Sequence, residues 1–252
     1  MPSVENEHVG DATLLLVDLE GDDRADTADT VAFLKQLCPE AGGRALELGV
    51  GLGRIAIPLV QAGVSVVGVE LSEQIAAELV RRAAQLDLKG LHVVTADAAT
   101  LDLGETFDVV YLPWNFLYFG LSAEAQRALL RVAYRHTSAG GSCVVETQLP
   151  DIPEGDESPD PMLGIGHLGE ESLVLTFTSV RPSERRILRH RLVARANGVF
   201  FIPLTLRYAT PDEVDELATD AGFSSVERLA DWRGSPYDGG GRVISLLRRA
   251  LV

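Results

Sequence analysis

Residues 45–54, Ala45-Leu46-Glu47-Leu48-Gly49-Val50-Gly51-Leu52-Gly53-Arg54, carry an apolar run straight into a turn in which every second residue is glycine. Glycine lets the backbone take positive φ and lets a flat, polar ligand approach without a Cβ in the way. A helix after such a turn presents unpaired N–H groups at its start. Spacing excludes two ligands that use comparable turns. A dinucleotide fingerprint needs glycine at its first, third and sixth positions, and the sixth position counted from Gly49 is Arg54. A Walker loop needs Gly-Lys-Ser/Thr, which is absent here.

From Arg44 to Glu146 short apolar runs alternate with helical patterns, the signature of βαβ units and a mostly parallel sheet. Strands are predicted at 44–48, 64–69, 91–95, 107–112 and 142–147. Ser72 caps a helix with Ile75, Leu79 and Ala83 on one face, and Ser122 caps another that Gly140-Gly141 stops. Pro58, inside the helix after the glycine turn, predicts a kink or a late start. Residues 150–169 hold four prolines and four glycines and read as a long loop. Three strand-like runs follow, 172–180, 185–195 and 199–209, close enough for an antiparallel meander. Thr210-Pro211-Asp212-Glu213 announces a last helix, ended by Gly222, and 223–229 pairs with 242–248. The length of 252 residues suits one domain over 1–252, with a core of 44–147 and 210–252 and an insertion of loop and meander at 150–209.

In an open parallel sheet the ligand crevice forms at the carboxyl ends of the strands, where strand order reverses. Glu70 ends the second strand, 21 residues after Gly49, where a carboxylate can accept both ribose hydroxyls. Asp97 follows the third strand, placed to accept from an adenine amino group. The fourth strand, Phe107-Asp108-Val109-Val110-Tyr111-Leu112, leads into Pro113-Trp114-Asn115-Phe116.

The ordered set resembles the class I S-adenosylmethionine (SAM) methyltransferase family over roughly residues 44–147: Glu-x-Gly-x-Gly-x-Gly-Arg, an acid ending strand two, an acid after strand three, a Phe-Asp strand four and Gly-Gly before strand five. That resemblance implies a Rossmann-like α/β fold, a seven-stranded mostly parallel sheet with helices on both faces and an antiparallel β-rich insertion after strand five. It implies SAM as cofactor. Glu47, Gly49, Gly51 and Gly53 then lie under its methionine part, Glu70 with Leu71 meets the ribose, Asp97 with the Ala98 backbone forms the adenine site, and Leu112 ends the strand beside the methyl group. Gly53-Arg54-Ile55-Ala56-Ile57-Pro58-Leu59, Val67-Gly68-Val69-Glu70-Leu71-Ser72 and Arg207–Glu213 with Ala221-Gly222-Phe223 resemble the branch that methylates metabolites and natural products. That branch often has Tyr-Asp upstream, where this chain has Val17-Asp18. No Asn/Asp-Pro-Pro-Tyr/Phe motif follows strand four, which counts against methylation of an adenine or glutamine amide nitrogen.

Methyl transfer from a sulfonium is an in-line displacement, and a base is needed only for a nucleophile that arrives protonated. Of the five histidines, His92 and His136 read as structural; His167, in the Pro/Gly-rich loop, and His190 are the base candidates, with Asn115 at the methyl end. Strand 185–195 alternates so that Arg185, Arg189, Arg191 and Arg195 share a basic face and His190 sits on the face expected to be buried. Trp114, Tyr118 and Trp232 line the acceptor pocket or belong to the core.

Composition narrows the partners. A net charge of −15 repels nucleic acid and favours a small-molecule substrate. No apolar run approaches the ~18 residues of a membrane span, and the acidic N-terminus lacks a signal-peptide pattern, so a cytoplasmic protein is expected. Twenty arginines against two lysines suit a GC-rich bacterial genome, and Cys38 and Cys143 have no metal spacing. The meander makes a homo-oligomer plausible. Two other readings stand beside a methyltransferase: a SAM-binding protein that catalyses a non-methylating reaction such as cyclisation, and a non-catalytic binding protein.

Overall fold

A computed structural model describes residues 25–40, 42–152, 160–196 and 198–251. Val17-Asp18 and His8 lie outside them. The chain divides into two compact units.

The larger unit, from Arg24 to Leu149 and from Ala209 to the C-terminus, holds α1 (Thr27–Gln36), β1 (Arg44–Leu48), α2 (Ala56–Gln61), β2 (Ser65–Glu70), α3 (Glu73–Gln85), β3 (Leu91–Thr95), β4 (Phe107–Leu112), α4 (Ala123–His136), β5 (Thr137–Gln148), α5 (Pro211–Ala221), β11 (Ser225–Leu229) and β12 (Arg242–Arg248). Its seven strands run β3-β2-β1-β4-β5-β12-β11, parallel from β3 to β5 and antiparallel across β12. Strand order reverses between β1 and β4, which puts the crevice at the carboxyl ends of those strands. Central strands are buried on both faces, so they read as unbroken apolar runs: Ala45 to Leu48 and Val109 to Leu112 are all buried.

Local signals set the helix ends. Ser72, Ser122 and Thr210 accept from the N–H three residues on, and Gly222 closes α5 at φ 115°. The helix after the glycine turn does start late, at Ala56, which leaves Pro58 in its first turn, where no intrahelical bond is lost. The end of α4 differs from expectation. It stops at His136, four residues before Gly140, because Arg249 Nη1 donates to the Tyr134 and Thr137 carbonyls and so takes over acceptors that another turn would have used.

The smaller unit's described residues, from Pro150 to Tyr208, form an antiparallel sheet of β6 (Met162–Leu168), β7 (Ser172–Arg181), β8 (Arg186–Arg195), β9 (Gly198–Ile202) and β10 (Thr205–Arg207). Two expectations change here. The Pro/Gly-rich stretch is not all loop, because 162–168 pairs with β7, so His167 stands on a strand. The run 199–209 is split in two by Pro203, which has no N–H for the ladder. The face of β8 expected to be solvated is the buried one: Ile187 and Val193 are buried, and Val193 packs with Val174 and Ile202. Two apolar side chains near the strand's ends set the buried face, and Arg189 and Arg191 between them are half-buried with it.

Candidate functional site

The glycine turn leaves β1 with φ of 78° at Gly49, 54° at Gly51 and 84° at Gly53. Three of its N–H groups are already used. Gly49 and Val50 both donate to the Val69 carbonyl, and Gly51 donates to Glu70 Oε2 at 3.1 Å. A phosphate cradle needs such groups free, so the hydrogen bonding agrees with the spacing in pointing away from a dinucleotide. A Cβ at Gly51 would enter open space, whereas one at Gly53 would meet Leu79 at 2.6 Å and one at Gly49 the Phe116 ring. Gly51 therefore serves the crevice, and Gly53 the close packing of the turn on α3.

Glu70 ends β2 half-buried, and its carboxylate ties two elements together. Besides Gly51, it accepts from Ser72 N at 3.0 Å, which fixes the start of α3. Leu71 beside it is 64% exposed, an apolar side chain available to a flat ligand. Asp97 is exposed and spends Oδ1 on Ala99 N at 2.8 Å, a turn hydrogen bond that leaves Oδ2. Ala98 is buried beside it, and Leu112 is fully buried, so only its backbone can face a ligand.

Glu47 lies deeper, 2% exposed, and accepts from the Tyr111 hydroxyl at 2.7 Å. Burial pushes its carboxyl up to about 8, against the opposing pull of the Tyr111 hydrogen bond and of Arg54. The folded chain therefore holds a proton that the unfolded chain has released above about 4.5. Stability on this account falls as pH rises from about 4.5 to about 8 and is level above that. Glu47→Gln keeps an acceptor for Tyr111 without the charge, so denaturant unfolding should find it more stable than the natural chain by about 2 kcal/mol or more at pH 8, with little difference at pH 5. Equal stability at both pH values would contradict the protonated carboxyl.

At the end of β4 the chain makes a strained turn: Trp114 and Asn115 have φ of 50° and 61°. The last turns of β5 hold it there. Glu146, 3% exposed, accepts from Trp114 N at 2.9 Å through Oε2 and from Asn115 N at 3.0 Å through its carbonyl, and Asn115 Oδ1 accepts from Gln148 N at 2.6 Å. Arg242 lies 3.8 Å from Glu146 Oε1 and pairs with Asp26 at 2.8 Å. Sequence reasoning missed Glu146 as a working residue. A lone acid in the apolar run Cys143-Val144-Val145-Glu146 was the available signal.

The larger unit thus brings Glu47, Gly49, Gly51, Gly53, Glu70, Leu71, Asp97, Ala98, Leu112 and Asn115 to the carboxyl side of one sheet. Tyr118 and Trp232 are core residues. The Tyr118 hydroxyl donates to the Ala209 carbonyl, and Trp232 meets Phe33 edge-on. His136 is structural as expected, fully bonded between the Val132 carbonyl and Leu103 N. His167 and His190 belong to the smaller unit. His190 packs against Phe201 at 5.3 Å between ring centres, and its Nδ1 is buried without a hydrogen-bond partner. Cys38 and Cys143 are free thiols, and among the described residues no group of His, Cys, Asp and Glu has the arrangement of a metal site.

Comparison with known proteins gives the same answer. Residues 45–141 match the family described as a methyltransferase domain. The CcbJ methyltransferase of Streptomyces caelestis is 31% identical, with 92% of this chain and 93% of that one covered at a TM-score of 0.80. At fold level the chain is similar to SAM-bound CalS10, an amino pentose methyltransferase of Micromonospora echinaspora (24% identity, 89% and 90% covered, TM-score 0.67). It is also similar to the sugar N-methyltransferase KedS8 of Streptoalloteichus sp (22%, 99% and 97%, TM-score 0.71). No curated protein matches in sequence. The residues present fit SAM: open space above Gly51, a carboxylate at the end of β2 and an exposed leucine next to it form a polar and apolar pair suited to a nucleoside. A 31% identical methyltransferase matched over nine-tenths of both chains, a methyltransferase-domain match and a fitting nucleoside site lead to one conclusion: the chain belongs to the SAM-dependent methyltransferase family.

Proposed function

We propose that this enzyme methylates a small-molecule acceptor, a natural product or sugar-like metabolite. The observation that carries the reading is the whole-chain likeness, insertion included, to CcbJ, supported by the sugar and amino pentose activities named for KedS8 and CalS10. SAM supplies a methyl group on a sulfonium centre. In this reading Glu70 holds the ribose hydroxyls, Leu71 lies against the nucleoside, Asp97 Oδ2 and the Ala98 backbone take the adenine edge, and Glu47 underlies the methionine end. Asn115 has its Oδ1 occupied by Gln148 N, so Nδ2 is the end that meets the acceptor. His190, with Nδ1 unpartnered, takes a proton from an acceptor that arrives protonated, and His167 is the second candidate for that role.

The excess of acidic residues argues against nucleic acid as a partner, and no helix among the described residues is long and apolar enough to cross a membrane. Leu163, Ile165, Phe177 and Phe201 on the smaller sheet are exposed, which supports self-association through the meander. Calorimetric titration with S-adenosylhomocysteine, with NADH as control and light scattering on the same sample, tests these readings together. Micromolar binding of the former alone and a mass above one chain are expected. Absent S-adenosylhomocysteine binding would remove the cofactor assignments, and a monomer would remove the oligomer.

A further inference from the structure

Asp26 stands at the N-cap of α1, a place that favours aspartate because its carboxylate can accept from the first free N–H groups of the helix. The Asp26 carbonyl does start the helix, accepting from Thr30 N and Thr30 Oγ1 at 2.9 Å, yet the carboxylate makes no capping hydrogen bond. It faces two arginines from distant parts of the chain instead. Asp26 Oδ2 lies 2.8 Å from Arg242 Nη1, and Oδ1 lies 4.0 Å from Arg54 Nη1, which also donates to Thr27 Oγ1 at 3.3 Å. None of the three charged side chains is more than 32% exposed, so water and salt screen these pairs less than they screen pairs on an open surface.

The two arginines belong to different halves of the site, and both halves lie in the larger unit. Arg54 follows Gly53 at the end of the glycine turn. Arg242 opens β12 and faces Glu146 Oε1 at 3.8 Å, on the carboxylate whose other oxygen accepts from Trp114 N at 2.9 Å. We propose that Asp26 is a positioning residue that joins the glycine turn to the Trp114–Asn115 turn, through Arg54 on one side and Arg242 on the other. The inference rests on the proposed places of SAM and acceptor at those two turns. By holding Arg242 at 2.8 Å, Asp26 keeps that guanidinium off Glu146 and leaves the Glu146 carboxylate to Trp114 N. Without the Asp26 charge, Arg242 closes on Glu146 and draws the carboxylate away from Trp114 N. Arg54 loses its acid at the same time, which loosens the end of the glycine turn, and a loosened turn has to be ordered again when a ligand binds.

Asparagine separates this role from capping, because it caps a helix as well as aspartate does but carries no charge. The body of α1 is held independently, by Leu34 in the core and by the Asp29 pair with Arg233, so Asp26→Asn should fold. The test combines calorimetry with S-adenosylhomocysteine in the natural background and emission in a Trp232→Phe background, where Trp114 is the one tryptophan left. Asp26→Asn should weaken binding threefold or more and shift the emission to the red. Adding Asp26→Asn to Arg242→Gln should move the emission no further, because the effect on Trp114 passes through Arg242. Unchanged affinity or unchanged emission in Asp26→Asn overturns the join, as does an equal emission shift with and without Arg242→Gln. Failure of S-adenosylhomocysteine to bind the natural chain removes the cofactor reading and the join with it, while the emission cycle by itself still decides whether Asp26 holds the Trp114–Asn115 turn.

Discussion

Glu70→Ala should weaken S-adenosylhomocysteine binding more than tenfold, by calorimetry, while the chain still unfolds cooperatively. The carboxylate works before any ligand arrives. It accepts from Gly51 N and Ser72 N, so removing it frees the glycine turn and the first turn of α3 at once. A hydrogen bond from a ribose hydroxyl to a charged acceptor contributes about 1.5–3 kcal/mol, and the loss of one is already enough for a tenfold change. The loosened turn adds the cost of ordering it again when the ligand binds. Glu70→Gln keeps one acceptor oxygen and can hold either N–H but not both, which places its affinity between the two. Unchanged affinity in Glu70→Ala would remove both the ribose assignment and the idea that this carboxylate shapes the turn.

The positions proposed for the cofactor were legible because each is fixed by its place in a repeating pattern. A buried strand shows as an apolar run, the turn after it shows as glycine, and an acid at a parallel strand's carboxyl end stands at the rim of the crevice. Gly49 to Gly53, Glu70 and Asp97 follow from that logic. Local chemistry also fixed the helix starts, since a capping hydroxyl acts within three residues. What could not be read depends on partners far apart in sequence. Arg249 ends α4 from 112 residues beyond Thr137, and Glu146 reaches Trp114 across 32. The smaller unit misled for a different reason. Alternation along β8 was plain, but which face is buried depends on Val174 and Ile202 on neighbouring strands, and an arginine-rich face looks solvated in a single strand read alone.

Glu146→Ala should cost a hundredfold or more in methyl transfer and leave S-adenosylhomocysteine affinity within threefold. Two consecutive non-glycine residues with positive φ store strain of order 1–3 kcal/mol each, and such a turn persists only where its surroundings hold it. Glu146 is the chief holder: its side chain takes Trp114 N and its carbonyl takes Asn115 N. Alanine keeps the carbonyl but takes the carboxylate from Trp114 N and leaves Arg242 with Asp26, so the turn relaxes and Asn115 Nδ2 moves from the place proposed for the acceptor. A misplacement of about 1 Å is enough for a hundredfold loss in a displacement that requires collinear atoms. A reporter independent of turnover is available, because the chain has two tryptophans and Trp232 is buried in the core. In a Trp232→Phe background the emission of Trp114 should shift to the red when Glu146 becomes alanine and stay put when it becomes glutamine, which restores an acceptor for Trp114 N. Unshifted emission together with full turnover in Glu146→Ala would show that the turn holds its shape without this carboxylate.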